Sequence, residues 1–428
     1  MNGRSLLLYY ILTLISPVIG VFIAIKNLSW KRRRKVLIFA ITLFGATIVL
    51  NASDGYVLKS YLYSHYMGLP FEQWWYELIE ILKFSPEYGT KGDVYSHVLS
   101  YFVGHILRMP EQFFIFTAAI YAYFYVSSMQ RVLSWEKKTQ WSFLIGLLVI
   151  IFITYRFIDS LQSVRTYTGA WALFYGLYRY YETKKVKYLL ITLFAPLCHV
   201  AYFLIALPIM AVVLLKKLPS TVFILLYFSS FFININHDIL VSQVATTEVG
   251  ESKLDGYYGE GHLERREALV YDSNVNFYAR YGKNLMLYVA PHFLIFAIIL
   301  CGLYSKRYLT HLEYSILTTG IFAATAANLW DFIPVLENRT MANAGIYVTA
   351  TPVLLLRRHA LLNSSGKMPL ILQKLLLLIA ALAFTPYLIY VLANMLQYTS
   401  IFMLIAPIAG LFNDFNLSLR ELIRFFLF

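Results

Sequence analysis

The segment KNLSWKRRRK, Lys26–Lys35, decides the fold class, because an apolar stretch borders it on each side. Ser5–Ile25 precedes it and Val36–Asn51 follows it, and a membrane-spanning helix needs about 20 mostly apolar residues. The whole chain is 59% hydrophobic and only 14% charged, and apolar stretches recur along almost all of it. The pattern predicts an all-α, polytopic integral membrane helical bundle.

The short basic segments predict how this bundle is oriented, since Lys and Arg concentrate in cytoplasmic loops. Lys26–Lys35 then lies inside. Ser5–Ile25 lacks a small-residue cleavage pattern and is predicted to be a retained first span with its N-terminus outside. The last predicted crossing is Ile401–Phe412, followed by an amphipathic inner-face tail, Asn416–Phe428. We expect about twelve to fourteen spans in a single domain, residues 1–428.

Two longer segments are expected on the outer side. Residues 52–112 include the aromatic stretch Phe71–Leu82, which has the composition of an interfacial helix. Residues 236–283 form the largest polar stretch and are rich in Asp and Glu. A polar segment of that length is typical of an external loop or lid.

The apolar segment Tyr188–Leu215 does not fit a simple alternation of sides. Lys185 precedes it and Lys217 follows it, so one ordinary span would place these two lysines on opposite faces. Two half-length helices with a turn near Pro196–His199 would keep both inside. Such a turn is tolerated at membrane depth where protein buries it or a water-filled cavity meets it. The sequence leaves both arrangements open.

Ionisable side chains at the edges of apolar segments are the strongest functional signal, because an arginine at the centre of a membrane helix costs about 2.5–3.5 kcal/mol. Arg165 and Arg339 each open an apolar segment, and His199 lies deep inside another. The competing interpretations are that Arg165 snorkels to the interface, that Arg339 forms a salt bridge with Glu337 or Asp331, and that His199 is structural. For Asp93 with Tyr95 the alternative is a helix cap. Two guanidinium groups and an imidazole at one face suit an anionic, lipid-linked ligand.

The chain lacks the motifs of nucleotide-dependent and metal-dependent soluble enzymes. It has no P-loop, HExxH, GxSxG or zinc-spaced Cys/His cluster, and no Asp-x-Asp pair. We therefore expect no metal site and no cofactor. Cys198 and Cys301 both fall in apolar segments, so no disulfide framework is indicated. The net charge of +13 follows from the basic loops, and no nucleic-acid partner is expected.

Four segments carry a resemblance to a known family. They are GDVY at Gly92–Tyr95, SVRTYTGA at Ser163–Ala170, LFAPLCHVAY at Leu193–Tyr202 and ENRTMANAGIY at Glu337–Tyr347. In this order they resemble the EpsG-like branch of the Wzy-type O-antigen and exopolysaccharide polymerases, over most of the chain. The family pattern is a Gly-x-Asp-x-Tyr element, an Arg opening a span, an Ala-rich helix ending in His, and a late Arg. This chain departs from it at Thr166, where the family often has Gln.

The resemblance implies a glycosyltransferase of the bacterial inner membrane whose active site faces the periplasm. It would join undecaprenyl-pyrophosphate-linked oligosaccharide repeats without a metal ion, with the growing chain as donor and a single repeat as acceptor. A chain-length regulator protein is a further expected partner, besides the lipid bilayer. The alternatives are another lipid-donor glycosyltransferase or ligase, and a flippase for lipid-linked oligosaccharides, although a transporter should show two related halves.

The same comparison gives the site residues expected for such an enzyme. The catalytic candidates are His199, Arg165, Arg339 and Asp93. Both arginines would bind the pyrophosphate, and the other substrate-binding candidates are Tyr95, Tyr167, Tyr258 and Arg280. A planar, permanently charged guanidinium matches phosphate oxygens, and cations placed where negative charge develops lower the barrier.

Overall fold

The computed structural model describes residues 4–50, 54–85, 93–134, 142–215, 217–233, 285–330, 333–357, 368–411 and 417–427. Within these ranges the chain forms helices and turns, with two isolated bridges, Ile48–Thr399 and Ser400–Ser418. The all-α prediction is confirmed for them. The helices are α1 (Arg4–Ile15), α2 (Pro17–Asn27), α3 (Trp30–Thr47), α4 (Asp54–Ser64), α5 (Phe71–Leu82), α6 (Val94–Tyr101), α7 (Phe113–Leu133), α8 (Phe143–Thr154), α9 (Val164–Thr183), α10 (Lys187–Thr192), α11 (Phe194–Cys198), α12 (Tyr202–Leu215), α13 (Ser220–Ser229), α14 (Leu285–Leu300), α15 (His311–Leu329), α16 (Pro334–Arg357), α17 (Leu370–Leu382), α18 (Thr385–Tyr398) and α19 (Leu419–Leu427).

Helices α3 and α7 pack antiparallel, so the end of the bundle where α3 begins is also the end where α7 finishes. Gly45, near the end of α3, lies against the backbone of Phe114 in the first turn of α7. We call the end where α3 begins the basic end, and the opposite one the site end. The residues that mark the basic end are Lys31, Arg131, Lys184, Lys217 and Lys306.

The N-terminal apolar segment is a helical hairpin and not a single span. α1 ends and α2 begins around Ser16 and Pro17, and proline cannot donate a helical hydrogen bond. Gly20 packs so closely on the other helix that a Cβ there would lie 2.6 Å from the Thr13 Cα. The predicted single span Ser5–Ile25 is therefore wrong, and α1 starts at the basic end, the same end as the Lys26–Lys35 segment. The hairpin has its own small core of Tyr9, Ala24, Leu28 and Val36, with Leu6 packed on it.

The segment Tyr188–Leu215 is the second hairpin, as one of the two sequence interpretations predicted. The helix breaks at His199, whose backbone is extended at φ −158° and ψ 128°. Thr192 Oγ1 then lies 3.5 Å from the Met210 sulfur, 18 residues further on, whereas one straight helix would hold them about 27 Å apart. The turn at His199 lies at the site end, and the lysines at both ends of the segment share the basic end.

Two helical segments, residues 110–133 and 370–398, are long and apolar enough to cross a membrane by length and composition. The second comprises α17 and α18, which run from the basic end to the site end. It ends beside α3, where Val49 N donates to Tyr398 O at 3.0 Å.

The C-terminal segment stays at the site end after α18. Residues Ile401–Leu411 form short 3-10 turns, and Ala406 N donates to Ile15 O at the tip of the N-terminal hairpin, at 2.7 Å. α19 follows at the same end, because Leu419 N donates to Thr399 O at 2.9 Å. The predicted last span Ile401–Phe412 is wrong for its described residues, because Pro407 and Gly410 fall in short 3-10 turns and not in a continuous helix. The amphipathic helix predicted in the tail is α19, and it lies at the site end.

The aromatic helix predicted at Phe71–Leu82 is α5, with the same bounds. It exposes Phe71, Trp75 and Tyr76 by 56, 50 and 53%, as expected of a helix that lies on an apolar surface. α4 to α6 all lie at the site end, because α3 ends and α7 begins there. The predicted loop 236–283 lies outside the described residues.

Candidate functional site

Asp93 joins two of the predicted site elements at the site end of the bundle. Its Oδ2 accepts a hydrogen bond from Arg165 Nη1 at 2.9 Å, and its Oδ1 accepts one from Val200 N at 2.8 Å. The carboxylate is nearly buried, with 5% of its side chain exposed, whereas the arginine side chain is 37% exposed. Asp93 therefore holds the start of α9 and the turn after α11 together, and it directs a guanidinium that stays accessible to a ligand.

His199 is the extended residue of that turn and is buried next to Val200. Its Nδ1 accepts a hydrogen bond from Ala201 N at 3.2 Å. A neutral imidazole whose Nδ1 accepts carries its proton on Nε2. In this arrangement the second nitrogen of His199 is a hydrogen-bond donor, which suits contact with an anionic oxygen better than removal of a proton.

Tyr202 connects the second predicted arginine to this group. Its buried hydroxyl donates to Thr166 O at 2.6 Å and accepts from Asn343 Nδ2 at 3.2 Å. Asn343 also donates to Arg339 O, one helical turn earlier on α16, at 2.8 Å. The backbone of Arg339 is thus joined to the Tyr202 hydroxyl through the Asn343 amide.

Arg339 is half-buried. No carboxylate of the described residues lies within ion-pair distance of it. The salt bridge to Glu337 that rivals a functional role is not formed, and Asp331 lies outside the described residues. The site end thus holds a second arginine besides Arg165, and no described acid forms an ion pair with this second one.

A third arginine, Arg156, belongs to the same region, and sequence analysis did not single it out. Its Nη1 donates to Tyr167 Oη at 2.8 Å, and its guanidinium lies 4.7 Å from the centre of that ring. Its backbone has φ 54°, a conformation that costs of order 1–3 kcal/mol for a non-glycine residue and clusters at functional sites. Three aromatic side chains fix that backbone by hydrogen bonds: Tyr121, Trp171 and Tyr387. Its position inside the apolar stretch Trp141–Ile158 was the available signal.

The other predicted substrate-binding residues have different settings. Tyr167 lies two residues after Arg165 and contacts Arg156 as described. Tyr95 is buried, with its ring edge against Phe194 at a centroid distance of 5.6 Å, so it packs between helices instead of facing open space. Tyr258 and Arg280 lie outside the described residues.

The four segments that carry the family resemblance all meet here. The first contacts the second and third through Asp93, and Tyr202 of the third contacts both the second and the fourth. No family model, curated protein or solved structure matches this chain. Within the structure, segments up to 141 residues apart in the chain are joined by direct hydrogen bonds.

The site offers cationic side chains and hydrogen-bond donors. Its one described acid at the centre, Asp93, already accepts hydrogen bonds from Arg165 and Val200. A cavity of about 80 Å³ lies beside Asp93, lined by apolar residues of α5, α11 and α12. The described residues contain no group of three or more His, Cys, Asp or Glu side chains that could hold a metal ion. Chemically, the arrangement suits the binding of an anion with several oxygens, such as a phosphate or a pyrophosphate.

Proposed function

We propose that this protein is a multi-pass membrane glycosyltransferase that polymerises oligosaccharide repeats from a lipid-pyrophosphate-linked donor. The observation that carries the proposal is the convergence of Asp93, Arg165, His199 and Arg339 at one end of the bundle. Arg165 is held by a buried carboxylate, and Arg339 has no described acid beside it. The expected ligand is an anion that brings two or more negative charges.

Placement in a membrane is supported by the surface of the bundle. Phe143, Leu214 and Ile371 on three different helices are 73, 81 and 80% exposed, and apolar surfaces of this kind mark contact with lipid or a partner. The clusters of neighbouring basic residues at 31–35, 184–187 and 306–307 share the end opposite the site, whereas the described basic residues at the site end are more dispersed. By the positive-inside rule, that end is cytoplasmic and the site faces the periplasm.

The proposed chemistry is a glycosyl transfer in which pyrophosphate leaves. The bond between the donor's anomeric carbon and the pyrophosphate oxygen breaks, and a new bond forms to the acceptor oxygen. The acceptor's hydroxyl proton would pass to an oxygen of the departing pyrophosphate or to water. Arg165 and Arg339 would bind the pyrophosphate and stabilise the charge that develops as it leaves. His199 would donate to the same oxygens from Nε2, and Asp93 would act as a positioning residue for Arg165 and for the histidine turn.

Two measurements test this function. Deletion of the gene should remove the long-chain ladder of surface polysaccharide and leave a single repeat on its carrier. Purified protein should elongate lipid-linked repeats in the presence of a chelator, since arginines take the role of the metal ion. Loss of every repeat would indicate a flippase or an earlier enzyme, and transfer of finished chains without elongation would indicate a ligase.

A further inference from the structure

A large apolar cavity lies between α2 and α3 on one side and α7, α8 and the end of α18 on the other. Its volume is about 1060 Å³. Its lining is almost wholly aliphatic and aromatic, and Arg33 is the one charged side chain among the described residues that line it.

The cavity is elongated and open along one side. Arg33 and Phe44 both line it, and they are separated by about 16 Å along α3 at 1.5 Å per residue. On the α2 side Val18, Phe22 and Ile25 line it while remaining 55, 69 and 48% exposed. It is therefore a groove that begins at the basic end, runs toward the site end, and can admit a flexible chain sideways from a bilayer.

Arg33 gives the basic end of this groove an unbalanced charge. Its Nη2 donates to Ile25 O at 2.6 Å and Leu28 O at 3.0 Å, the last carbonyls of α2, and its guanidinium lies over the Trp30 ring at 4.6 Å. Its buried Nε has no hydrogen-bond partner. No described carboxylate pairs with it, so donors remain for an anion.

We infer that this groove binds one anionic glycerophospholipid of the cytoplasmic leaflet, with an acyl chain in the cavity and the phosphate on Arg33. A single phosphodiester beside one guanidinium, joined to a long hydrocarbon chain, matches a long apolar groove with one cation at its mouth. Lys31 and Lys35, both exposed at the start of α3, add attraction for an anionic leaflet, worth about 1 kcal/mol for each basic residue near the surface.

The position of Arg33 distinguishes the binding site of this lipid from that of the lipid-linked substrate. Arg165 and Arg339 lie at the site end, whereas Arg33 lies at the basic end, so one headgroup cannot contact both. The inference rests on the membrane placement proposed above and not on the transferase activity. The bound lipid would pack the N-terminal hairpin, which has its own separate core, against α7 and α8.

Native mass spectrometry of the full chain tests the inference. Protein released from detergent should retain one phosphatidylglycerol in preference to phosphatidylcholine with the same acyl chains. Arg33→Gln should weaken the phosphatidylglycerol complex at least about tenfold, the range expected for a charge-assisted contact, and Arg33→Lys should keep most of it. Ala40→Phe, which fills the groove at a buried lining residue, should reduce binding of both lipids. Arg131→Gln at the same end serves as the matched control and should bind like the wild type.

Several outcomes would overturn the inference. Equal retention of both lipids, or no difference between wild type and Arg33→Gln, would show that Arg33 only caps α2. Preference for a polyprenyl phosphate over phosphatidylglycerol, lost in Ala40→Phe, would assign the groove to the substrate chain. Thermal unfolding of each variant distinguishes loss of the bound lipid from loss of the fold. If Arg33→Gln does not fold, the retention of the two lipids by the wild type and by Arg33→Lys tests the inference. Failure of the polymerase assay leaves every one of these readouts intact.

Discussion

The Tyr155 hydroxyl at the end of α8 lies directly on Gly345 of α16, and a Cβ at that glycine would overlap it. Tyr155 is fully buried, so its ring cannot move aside. Gly345 lies two residues after Asn343, and the close contact fixes the helix that carries Arg339.

Gly345→Ala should destabilise the protein by about 1–3 kcal/mol, the usual cost of overfilling a packed interior. Thermal unfolding in detergent measures it. Gly146→Ala on α8 is the matched control, because no atom lies within 4 Å of the added Cβ, and it should gain about 0.5–1 kcal/mol. Tyr155→Leu, which removes the hydroxyl and the ring atoms Cζ and Cε1 that would all overlap the added Cβ, should restore part of the stability of Gly345→Ala, and a failure to do so would mean that Tyr155 is not the obstacle.

Arg165→Ala and Arg339→Ala should each reduce elongation of lipid-linked repeats by at least about 10²-fold, as for removal of a donor to a developing oxyanion. Lysine should rescue poorly, because an ammonium group cannot form the bidentate contact of a guanidinium. Arg131→Ala, at the basic end, should elongate normally. Near-normal polymer from either site variant at equal membrane abundance would remove that arginine from the mechanism.

His199→Gln should retain several-fold more activity than His199→Ala, because the glutamine amide can donate a neutral hydrogen bond worth about 0.5–1.5 kcal/mol. Initial rates on a purified lipid-linked substrate measure the difference. If His199 instead removes the acceptor's proton, both variants should be equally inactive, and the proposed donor role is then wrong.

Lys185 and Lys217 should face the same side of the membrane, since α10 to α12 turn back at His199. Single cysteines at these positions, with Cys198 and Cys301 replaced, should react alike with an impermeant thiol reagent. A short cross-linker with two thiol-reactive groups should also join cysteines placed at Thr192 and Met210. Labelling of position 217 alone from the periplasm, without the cross-link, would indicate one continuous span.

His97 should make the segment containing α4 to α6 sensitive to acid. Its Nδ1 bonds Tyr66 Oη at 2.8 Å and its Nε2 bonds Trp74 O at 3.1 Å, and burial lowers its pKa below the usual 6.5. The unfolded chain then binds a proton that the folded state excludes, so stability is constant above about pH 6.5 and falls below it, by up to about 1.4 kcal/mol per pH unit.

The melting temperature between pH 7.5 and 5.5 tests this expectation. His97→Gln keeps hydrogen-bonding groups but does not titrate, so its melting temperature should fall less with acid than that of the wild type. Equal slopes would assign the acid sensitivity to other groups.

Sequence patterns predicted some features of this fold closely and others wrongly, for physical reasons. The bounds of α5 follow from apolar residues repeated on one helical face, and the hairpin at His199 follows from the charges that flank it. The hairpin at Ser16 was missed because Ser5–Ile25 is apolar along its length, and hydropathy does not show whether the chain continues straight or turns back. Ser16 followed by Pro17, a helix-starting pair, was the available signal.

The sequence named candidate site residues but not their contacts. Arg165 and His199 were singled out because each is ionisable and lies in or beside an apolar segment, and Asp93 because it belongs to the Gly92–Tyr95 element of the resemblance. Nothing local indicates that Asp93 would bond the backbone of Val200, 107 residues away. Arg156 was missed although it interrupts an apolar stretch, and its strained backbone, fixed by three aromatic side chains, is visible only in the folded structure.

The α1–α2 hairpin and the turns after α18 place the first and last described helices at opposite ends of the bundle. The N-terminal helix starts at the basic end, while α19 lies at the site end. Under the proposed orientation, a fluorescent protein fused before α1 would mature in the cytoplasm, and alkaline phosphatase fused after α19 would be active in the periplasm. A pair of reporters at α1 and α19 would therefore read the orientation of the bundle without any change inside it.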